Sequence, residues 1–329
     1  MGSSRPDEFE TIARLLRPLA DHTAARGLLD DVAVLEPPPG RTLVLTHDTM
    51  VAGVHFWPDD PPDLIARKLL RVNLSDLVAK GADPFGYLMS CAWADGCDWH
   101  WREAFVRGLQ ADQAAFGLTL LGGDTVSTPG PLTLGATLIG WGEPGGTPSR
   151  AGAEAGDAVL VSGMVGDAGL GLRVTQGEVE GLGEGDLLWL ADRYRIPRPA
   201  IELTGLVRCA AHASADVSDG LLADVGNIAA ASGVSAVIDL EAIPLSDAAQ
   251  RWCDNQPDPA RARLDLATAG DDYEILLIVS PNRADEVVAE AVRLGRSMTL
   301  IGRCDVGQGV TARYRGTTVK VTKAGWRHR

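Results

Sequence analysis

The stretch LVLTHDTMVAGVHF, residues 43–56, begins with apolar and β-branched side chains that predict a strand over residues 42–46. Asp48 follows at the end of this strand, and His55 comes seven positions later between two apolar neighbours. Aspartate is a common turn residue, because its side chain bonds the nearby backbone. A histidine between Val54 and Phe56 is by default a packed one. A function can therefore be assigned to either side chain only if other residues in the chain could form a site with it.

Outward from this stretch, strands and helices alternate. We predict helices from Pro61–Pro62 to about residue 80 and over residues 101–116, and strands over residues 118–121 and 131–142. The Gly- and Pro-rich stretch GEPGGTPSRAGAEAGD, residues 142–157, is the best linker candidate. After it we predict strands over residues 157–163, 214–218 and 235–240, helices from Asp167 and over 186–194, 199–212 and 220–233, and a final strand–helix–strand run over 273–303. Because 329 residues exceed one usual hydrophobic core, we predict two α/β domains, residues 1–148 and 149–329.

The composition is that of a soluble globular protein and argues against nucleic acid or membranes as main partners. Hydrophobic residues make up 45% and charged residues 22%, with a net charge of −14 from 44 acidic and 30 basic residues. An acidic surface repels nucleic acids and anionic lipids, and it suits a protein that collects divalent cations. No membrane span or secretory signal is expected. The five cysteines form no C-x-x-C pair, which predicts reduced thiols in a cytoplasmic protein.

Aspartates recur at the predicted ends of elements. They occur in GLLDDVAV (residues 27–34), NLSDLVAKGADP (73–84), LLGGDT (120–125), SADVSDGLLADV (214–225) and AGDDYEI (269–275). Asp76 is the most informative, because it lies on or beside the apolar face of a helix, where a carboxylate is costly unless paired or metal-bound. A nearby arginine would explain Asp76 equally well, and Asp216 or Ser218 would serve as the N-cap of a helix that starts at Gly220.

Brought together at strand ends, several carboxylates would form an oxygen-rich site for Mg²⁺ and phosphate. The chain lacks a P-loop, the H-R-D and D-F-G kinase signatures, a G-x-G-x-x-G fingerprint and an EF-hand spacing. No His/Cys cluster favours a softer metal. The residues alone predict a Mg²⁺-dependent, phosphate-handling protein and leave its reaction open.

In this order and spacing, GLLDDVAV, THDTMVAGVHF, NLSDLVAKGADP, LLGGDT, DVSDGLLADVGN and AGDDYEI resemble the thiamine-monophosphate kinase family of the aminoimidazole-ribonucleotide-synthetase-like superfamily. The resemblance covers nearly the whole chain and implies phosphoryl transfer from ATP to thiamine monophosphate. It implies mixed sheets with flanking helices, and a homodimer whose N-terminal domains pair sheet to sheet. The N-terminal domain would bind metal and ATP, and the C-terminal domain would complete the ATP and substrate site.

The resemblance also implies roles for individual residues. The implied magnesium ligands are Asp31, Thr46, Asp48, Asp76, Asp124 and Asp219, with Asp30 and Asp216 as further members. The implied nucleotide contacts are Gly123, Asp124, Arg150, Ser218 and Phe116, the last of which stands where a tyrosine is common. The implied substrate contacts are His55, Asp271 and Trp326. The implied catalytic groups, which position and neutralise the phosphates, are Asp48, Asp76, Asp124, Asp219 and Arg150.

Three positions depart from the family's pattern. GLLDD stands where G-x-G-D-D is usual, His47 replaces a small hydroxyl residue, and Asp271 stands where glutamate is usual. The alternatives are another ATP-dependent synthetase of the superfamily, or a non-catalytic nucleotide- or metal-binding relative. A selenophosphate synthetase needs a reactive residue near its N-terminus, and the first cysteine here is Cys91. A hydrogenase-maturation relative would end in cysteine, whereas this chain ends GWRHR.

Overall fold

The structure is a computed structural model that describes residues 7–326. The chain divides into two compact units. Unit 1 comprises Met1–Leu77 and Ala82–Pro144, and unit 2 comprises Val78–Gly81 and Gly145–Arg329. Within the described residues, no helix has the length and apolar character that a membrane crossing requires.

Unit 1 is built on a four-stranded mixed sheet with the strand order β1-β4-β2-β3. The strands are β1 (Thr42–Val51), β2 (Asp83–Trp93), β3 (Thr119–Ser127) and β4 (Thr133–Gly142). Strand β4 is antiparallel to β1 and β2, and β2 is parallel to β3. The helices are α1 (Glu8–Thr11), α2 (Pro62–Ala79) and α3 (Trp99–Phe116).

The helices of unit 1 follow from their sequence. Helix α3 begins after Asp98, whose carboxylate accepts a hydrogen bond from the Trp101 amide at 2.9 Å, and it ends at Gly117 with a φ of 65°. Leu69 and Leu70 of α2 and Phe105 of α3 are fully buried. The two helices predicted in this half of the chain are confirmed.

Strands β1 and β3 are longer than predicted, and strand β2 (Asp83–Trp93) was not predicted. Strand β1 continues to Val51 and β3 to Ser127, so Asp48 and Asp124 lie inside strands rather than after them. Strand β3 continues through its glycines because β2 pairs with it in parallel, with Ser90 opposite Asp124. A Cβ atom on Gly123 would lie 1.8 Å from the carbonyl oxygen of Met89, so only glycine permits this approach.

Unit 2 is built on a seven-stranded mixed sheet with the order β11-β10-β7-β9-β5-β8-β6. The strands are β5 (Ala158–Ser162), β6 (Ala213–Asp216), β7 (Ser235–Asp239), β8 (Ile275–Val279), β9 (Met298–Asp305), β10 (Gly309–Tyr314) and β11 (Thr317–Val319). The helices are α4 (Asp167–Thr175), α5 (Glu184–Arg195), α6 (Thr204–Ala210), α7 (Leu221–Ser232), α8 (Asp247–Asp254), α9 (Pro259–Ala267) and α10 (Ala284–Arg293).

Both faces of the central strands in unit 2 are buried. Val159 and Val161 of β5 pack in one cluster with Val225 of α7, and Leu160 packs in the opposite cluster with Val287 of α10. Such continuous apolar strands are typical of sheets that are covered by helices on both sides. The predicted strands and helices of this half are confirmed, apart from boundaries.

Helices α8 and α9 were not predicted. They pack with α4 and α5 around Leu190 and Trp252 in a separate small cluster. Helix α8 presents its apolar side chains in only two turns, which is too short a pattern to recognise in a sequence.

Candidate active site

The first part of the candidate site lies where helix α2 covers strand β1 in unit 1. Thr46 and Asp48 are two residues apart on β1, so their side chains point to the same face of the sheet. On that face the Thr46 hydroxyl donates a hydrogen bond to the Asp76 carboxylate of α2. The amide of Asp48 donates to the side-chain oxygen of Asn73, one turn earlier on α2, at 2.9 Å. The structure therefore brings Thr46, Asp48 and Asp76 together.

These two carboxylates are held close under partial burial. Burial, and then the negative charge of Asp76, raise the pKa of Asp48 from its ordinary 3.8 to about 6. A cation between Asp48 and Asp76 would stabilise the ionised form of both carboxylates. Their oxygen donors, together with the Thr46 hydroxyl, match the ligand chemistry that Mg²⁺ prefers.

The second part is a groove of about 540 Å³ in unit 1. Asp30 and Asp31 line it from the segment before β1, and Gly123 and Asp124 line it from β3. The Asp124 carboxylate accepts a hydrogen bond from the following amide at 2.9 Å. The structure therefore brings two predicted pairs, Asp30–Asp31 and Gly123–Asp124, to one groove, although the pairs lie more than ninety positions apart in the chain.

Asp30 differs from its neighbour, because it already has a counter-charge. Its carboxylate pairs with Arg26 and also accepts the Asp31 amide at 2.8 Å. The hydrogen bond from Arg26, followed by that from the Asp31 amide, lowers the pKa of Asp30. Asp31 is therefore the stronger metal-ligand candidate of the pair.

Among the residues that the structure describes, no group of three or more His, Cys, Asp or Glu side chains is arranged around a common metal position. The predicted carboxylate ligands of unit 1 instead form two groups. Asp48 and Asp76 form a pair between β1 and α2, and Asp30, Asp31 and Asp124 line the groove.

His55 lies in the turn that follows β1, half-buried. Its Nδ1 atom accepts a hydrogen bond from the Val51 amide at 3.0 Å, so the neutral ring carries its proton on Nε2. Its carbonyl oxygen accepts a hydrogen bond from the buried Lys68 at 2.9 Å. These contacts fix the backbone and ring of His55.

Phe116 is not among the residues that line the groove. It is the last residue of α3, and the Arg71 guanidinium lies 5.2 Å from the centre of its ring. Arg71 is paired in turn with buried Asp112 at 2.6 Å. The structure does not bring Phe116 to Gly123 and Asp124.

The third part of the candidate site lies in unit 2, at the turn between β6 and α7. Asp216, which is buried, ends β6, and Ser218 and Asp219 form the turn. The amide of Asp271 donates to the carbonyl oxygen of Ser218 at 2.9 Å, and that of Trp326 donates to the carbonyl oxygen of Asp219 at 2.8 Å. The structure thus brings predicted metal, nucleotide and substrate residues to one turn.

The GDDYE motif presents its acidic side chains differently from one residue to the next. Asp271 has a φ of 70° and its carboxylate accepts a hydrogen bond from the Tyr273 hydroxyl at 3.2 Å. Asp272 is buried and accepts from the amides of Gly166 and Ala168 at the start of α4, at 2.6 and 3.2 Å. Asp272 therefore has a structural role, and only Asp271 has its carboxylate outside the core.

Trp326 is anchored to Asp219 through its backbone amide. A Cβ atom on the preceding Gly325 would lie 2.4 Å from the Asp219 carbonyl oxygen, so this approach requires glycine. The Trp326 side chain is 51% exposed, and the Lys323 ammonium group lies 5.4 Å from the centre of its ring. An exposed indole can stack on an aromatic ligand.

Asp224, in the first turn of α7, is a residue next to this turn that was assigned no role in the sequence analysis. It is 1% exposed, and burial, then the negative charge of Asp219, raise its pKa to about 7. Arg150 acts in the opposite direction, which locates that predicted nucleotide contact near the same turn. The signal was present as the last aspartate of DVSDGLLAD, but a helix aspartate is usually exposed.

Residues 29–141 match the N-terminal domain of the AIR synthase related proteins, and residues 154–315 match their C-terminal domain. The chain is 49% identical to thiamine-monophosphate kinase of Caulobacter vibrioides over 98% of this chain and 91% of that protein. The structure of thiamine-monophosphate kinase from Stenotrophomonas maltophilia is 36% identical and covers 95% of this chain and 98% of its own, with a TM-score of 0.82.

A structure of AaThiL in complex with AMPPCP and TMP is 29% identical, with a TM-score of 0.77, and covers 98% of this chain and 97% of its own. These similarities extend over both units. The chain belongs to the thiamine-monophosphate kinase family of the AIR synthase related proteins.

Proposed function

We propose that this protein phosphorylates thiamine monophosphate to thiamine diphosphate with ATP as the phosphoryl donor. The observation that carries this proposal is 49% identity, over 98% of the chain, to a thiamine-monophosphate kinase. The AaThiL structure supports it, because that protein holds AMPPCP together with TMP. ATP is then a co-substrate and thiamine monophosphate the acceptor.

We further propose Mg²⁺ as the metal. The ligands would be Asp30, Asp31, Thr46, Asp48, Asp76, Asp124, Asp216 and Asp219, all of which offer oxygen. The proximity of Asp48 and Asp76, which the raised pKa of Asp48 reflects, supports this choice. When bound, Mg²⁺ would neutralise charge on the transferred phosphate.

In the proposed reaction, a terminal phosphate oxygen of thiamine monophosphate attacks the γ-phosphorus of ATP. The bond from that phosphorus to the β–γ bridging oxygen breaks, and ADP leaves with the electron pair. The attacking oxygen is already ionised, so no strong general base is required. Arg150 would neutralise developing charge, and Ser218 and Gly123 would position the nucleotide.

The substrate end would be formed by His55, Asp271 and Trp326. The Nε2 proton of His55 is a hydrogen-bond donor that suits a phosphate oxygen. The Asp271 carboxylate suits the cationic thiazolium or a pyrimidine amine, and the exposed indole of Trp326 suits an aromatic ring. Phe116 keeps a proposed place near adenine, although it lies against Arg71 here.

Residues 1–148 would bind the metal and ATP and form the dimer, and residues 149–329 would complete the ATP and substrate site. A homodimer is supported by apolar side chains on the open face of the unit 1 sheet, where Leu43, Leu45 and Val126 are 47%, 56% and 51% exposed. All five cysteines are free thiols, which supports a reducing cytoplasmic location.

The test is chromatographic detection of thiamine diphosphate formed from ATP, Mg²⁺ and thiamine monophosphate. Asp76→Asn should abolish turnover while the protein stays folded, since it removes a ligand charge without changing shape. Asp63→Asn, in the first turn of the same helix, is the matched control and should keep wild-type rates.

Retention by Asp76→Asn of more than about a tenth of the wild-type kcat, about 1.4 kcal/mol in barrier height, would remove Asp76 from the proposed mechanism. A wild-type protein that binds ATP and forms no thiamine diphosphate would instead support a non-catalytic relative.

A further inference from the structure

Asp224 occupies the first turn of α7 and is almost completely buried, with 1% of its surface exposed. One of its carboxylate oxygens accepts a hydrogen bond from the Asp219 amide at 3.2 Å. A buried carboxylate is costly unless hydrogen bonds and charge satisfy it. The residues that satisfy the Asp224 carboxylate therefore indicate which part of the structure it stabilises.

Those partners are the residues that the proposed function requires in unit 2. The backbone amides of Asp219 and Ser218 and the positive charge of Arg150 all favour the ionised form of Asp224. One buried carboxylate thus faces the proposed metal ligand and two proposed nucleotide contacts. Each of the three is more exposed than Asp224 itself.

The two hydrogen bonds at Asp219 fix the orientation of its backbone. Its amide is held by Asp224 from within α7, and its carbonyl oxygen is held by the Trp326 amide at 2.8 Å. Because both ends of the residue are held, the direction in which its side chain leaves the backbone is determined. Asp219 can then present its carboxylate without first ordering the turn.

We propose that Asp224 is a positioning residue that holds the Ser218–Asp219 turn in its ligand-binding conformation through its hydrogen bond to the Asp219 amide. Asp224 itself contacts neither nucleotide nor substrate. This inference rests on the proposed function, since the ligands of Ser218, Asp219 and Arg150 are those of the kinase reaction.

The first experiment needs no ligand. Hydrogen–deuterium exchange of peptides that span residues 217–220 should be at least about tenfold faster in Asp224→Ala than in the wild-type protein, because the amide loses its acceptor. Asp224→Asn keeps an oxygen in the same place and should restore slow exchange.

Asp157→Ala is the matched control. Asp157 is 3% exposed and accepts an amide at 2.8 Å in another turn of unit 2, so this variant should leave exchange at 217–220 unchanged. Equal acceleration in Asp157→Ala and Asp224→Ala would show a general loss of stability and overturn the proposal. An asparagine variant that exchanges as fast as the alanine variant would also overturn it, because the hydrogen bond would then not be what holds the turn.

The second experiment measures binding of a non-hydrolysable ATP analogue with Mg²⁺ by calorimetry. Asp224→Ala should raise Kd by about tenfold, whereas Asp224→Asn should stay within about threefold of wild type. An unchanged Kd in Asp224→Ala, with faster exchange at the turn, would overturn the positioning role. Product formation is measured separately, so a failure of the proposed kinase reaction leaves the exchange result interpretable.

Discussion

Leu28 adopts a backbone conformation that most residues avoid. Its φ is 53°, in the left-handed region, and it follows Gly27 at 63°. A side chain in this region costs on the order of 1 kcal/mol relative to glycine. The strain lies in the GLLDD stretch, which departs from the family's G-x-G-D-D pattern and leads directly to Asp30 and Asp31.

We therefore expect an inverted order of stability at this residue. Leu28→Gly should exceed Leu28→Ala in free energy of unfolding by about 1 kcal/mol, because only glycine relieves the positive φ. At Leu29, where φ is −110°, alanine should be the more stable of the same two substitutions. Urea unfolding of the four variants measures both differences. If the alanine variant is the more stable one at Leu28 as well as at Leu29, then Leu28 carries no strain.

The ring of Trp326 can be removed without releasing the tail, because its contact with Asp219 is made by the backbone amide. Trp326→Ala should therefore raise KM for thiamine monophosphate several-fold and leave KM for ATP unchanged, since stacking is worth about 0.5–1.5 kcal/mol. Steady-state kinetics with each substrate varied in turn measures this.

Asp271→Glu should be tolerated, because it restores the family's usual residue.

A different outcome for Trp326→Ala would contradict the contact between Trp326 and the substrate. If Trp326→Ala lowers the melting temperature and weakens both substrates equally, then the indole fastens the tail to unit 2 and does not contact substrate. A control is Val306→Ala, which truncates a side chain that is 89% exposed in the turn between β9 and β10.

At the scale of elements, the sequence predicted most helices and strands, because their apolar periodicity is local. It ended β1 and β3 too early, because the continuation of each depends on its neighbours. Gly123 fits only against Met89 of β2, and β2 was not itself predicted. The candidate site residues were predicted from the order and spacing of six motifs that resemble those of a known family. Asp224 was missed because only the folded turn shows that it is buried.

The packing of α2 on β1 predicts a dependence of stability on pH. In the folded protein the pKa of Asp48 is about 6, above the ordinary 3.8, through burial and the charge of Asp76. Its favourable contribution to folding is therefore complete below about pH 4 and is lost as pH rises through about 6. Above that pH the metal-free protein carries a cost of up to about 3 kcal/mol.

Asp48→Asn should remove this cost, because the amide is neutral at every pH. In the presence of EDTA, its free energy of unfolding should exceed that of the wild type at pH 8, and the excess should disappear as pH falls toward about 4. Chemical denaturation at a series of pH values measures the excess. An excess that does not change with pH would show that neither burial nor the charge of Asp76 raises the pKa of Asp48 in the folded protein.

For the whole molecule, the open face of the unit 1 sheet carries exposed apolar side chains. Leu43 and Leu45 alternate along β1 on one face, and Leu88 and Val126 lie on the same face of β2 and β3 by their register with β4 and with each other. All four are between 39% and 56% exposed. An antiparallel pair such as β1 and β4 usually presents polar side chains to solvent, so this apolar face favours burial against another chain.

We expect a homodimer in which these faces pack together, with a mass by light scattering of twice the chain at micromolar concentration. Leu45→Asp should shift the protein to the monomer, because it places an uncompensated carboxylate in the buried face. Leu188→Asp is the matched control. That side chain is 65% exposed on α5 of unit 2 and does not belong to the unit 1 sheet, so the variant should remain dimeric. A monomeric wild-type protein would contradict the assignment of the face, and dissociation by both variants would show that added charge alone separates the chains.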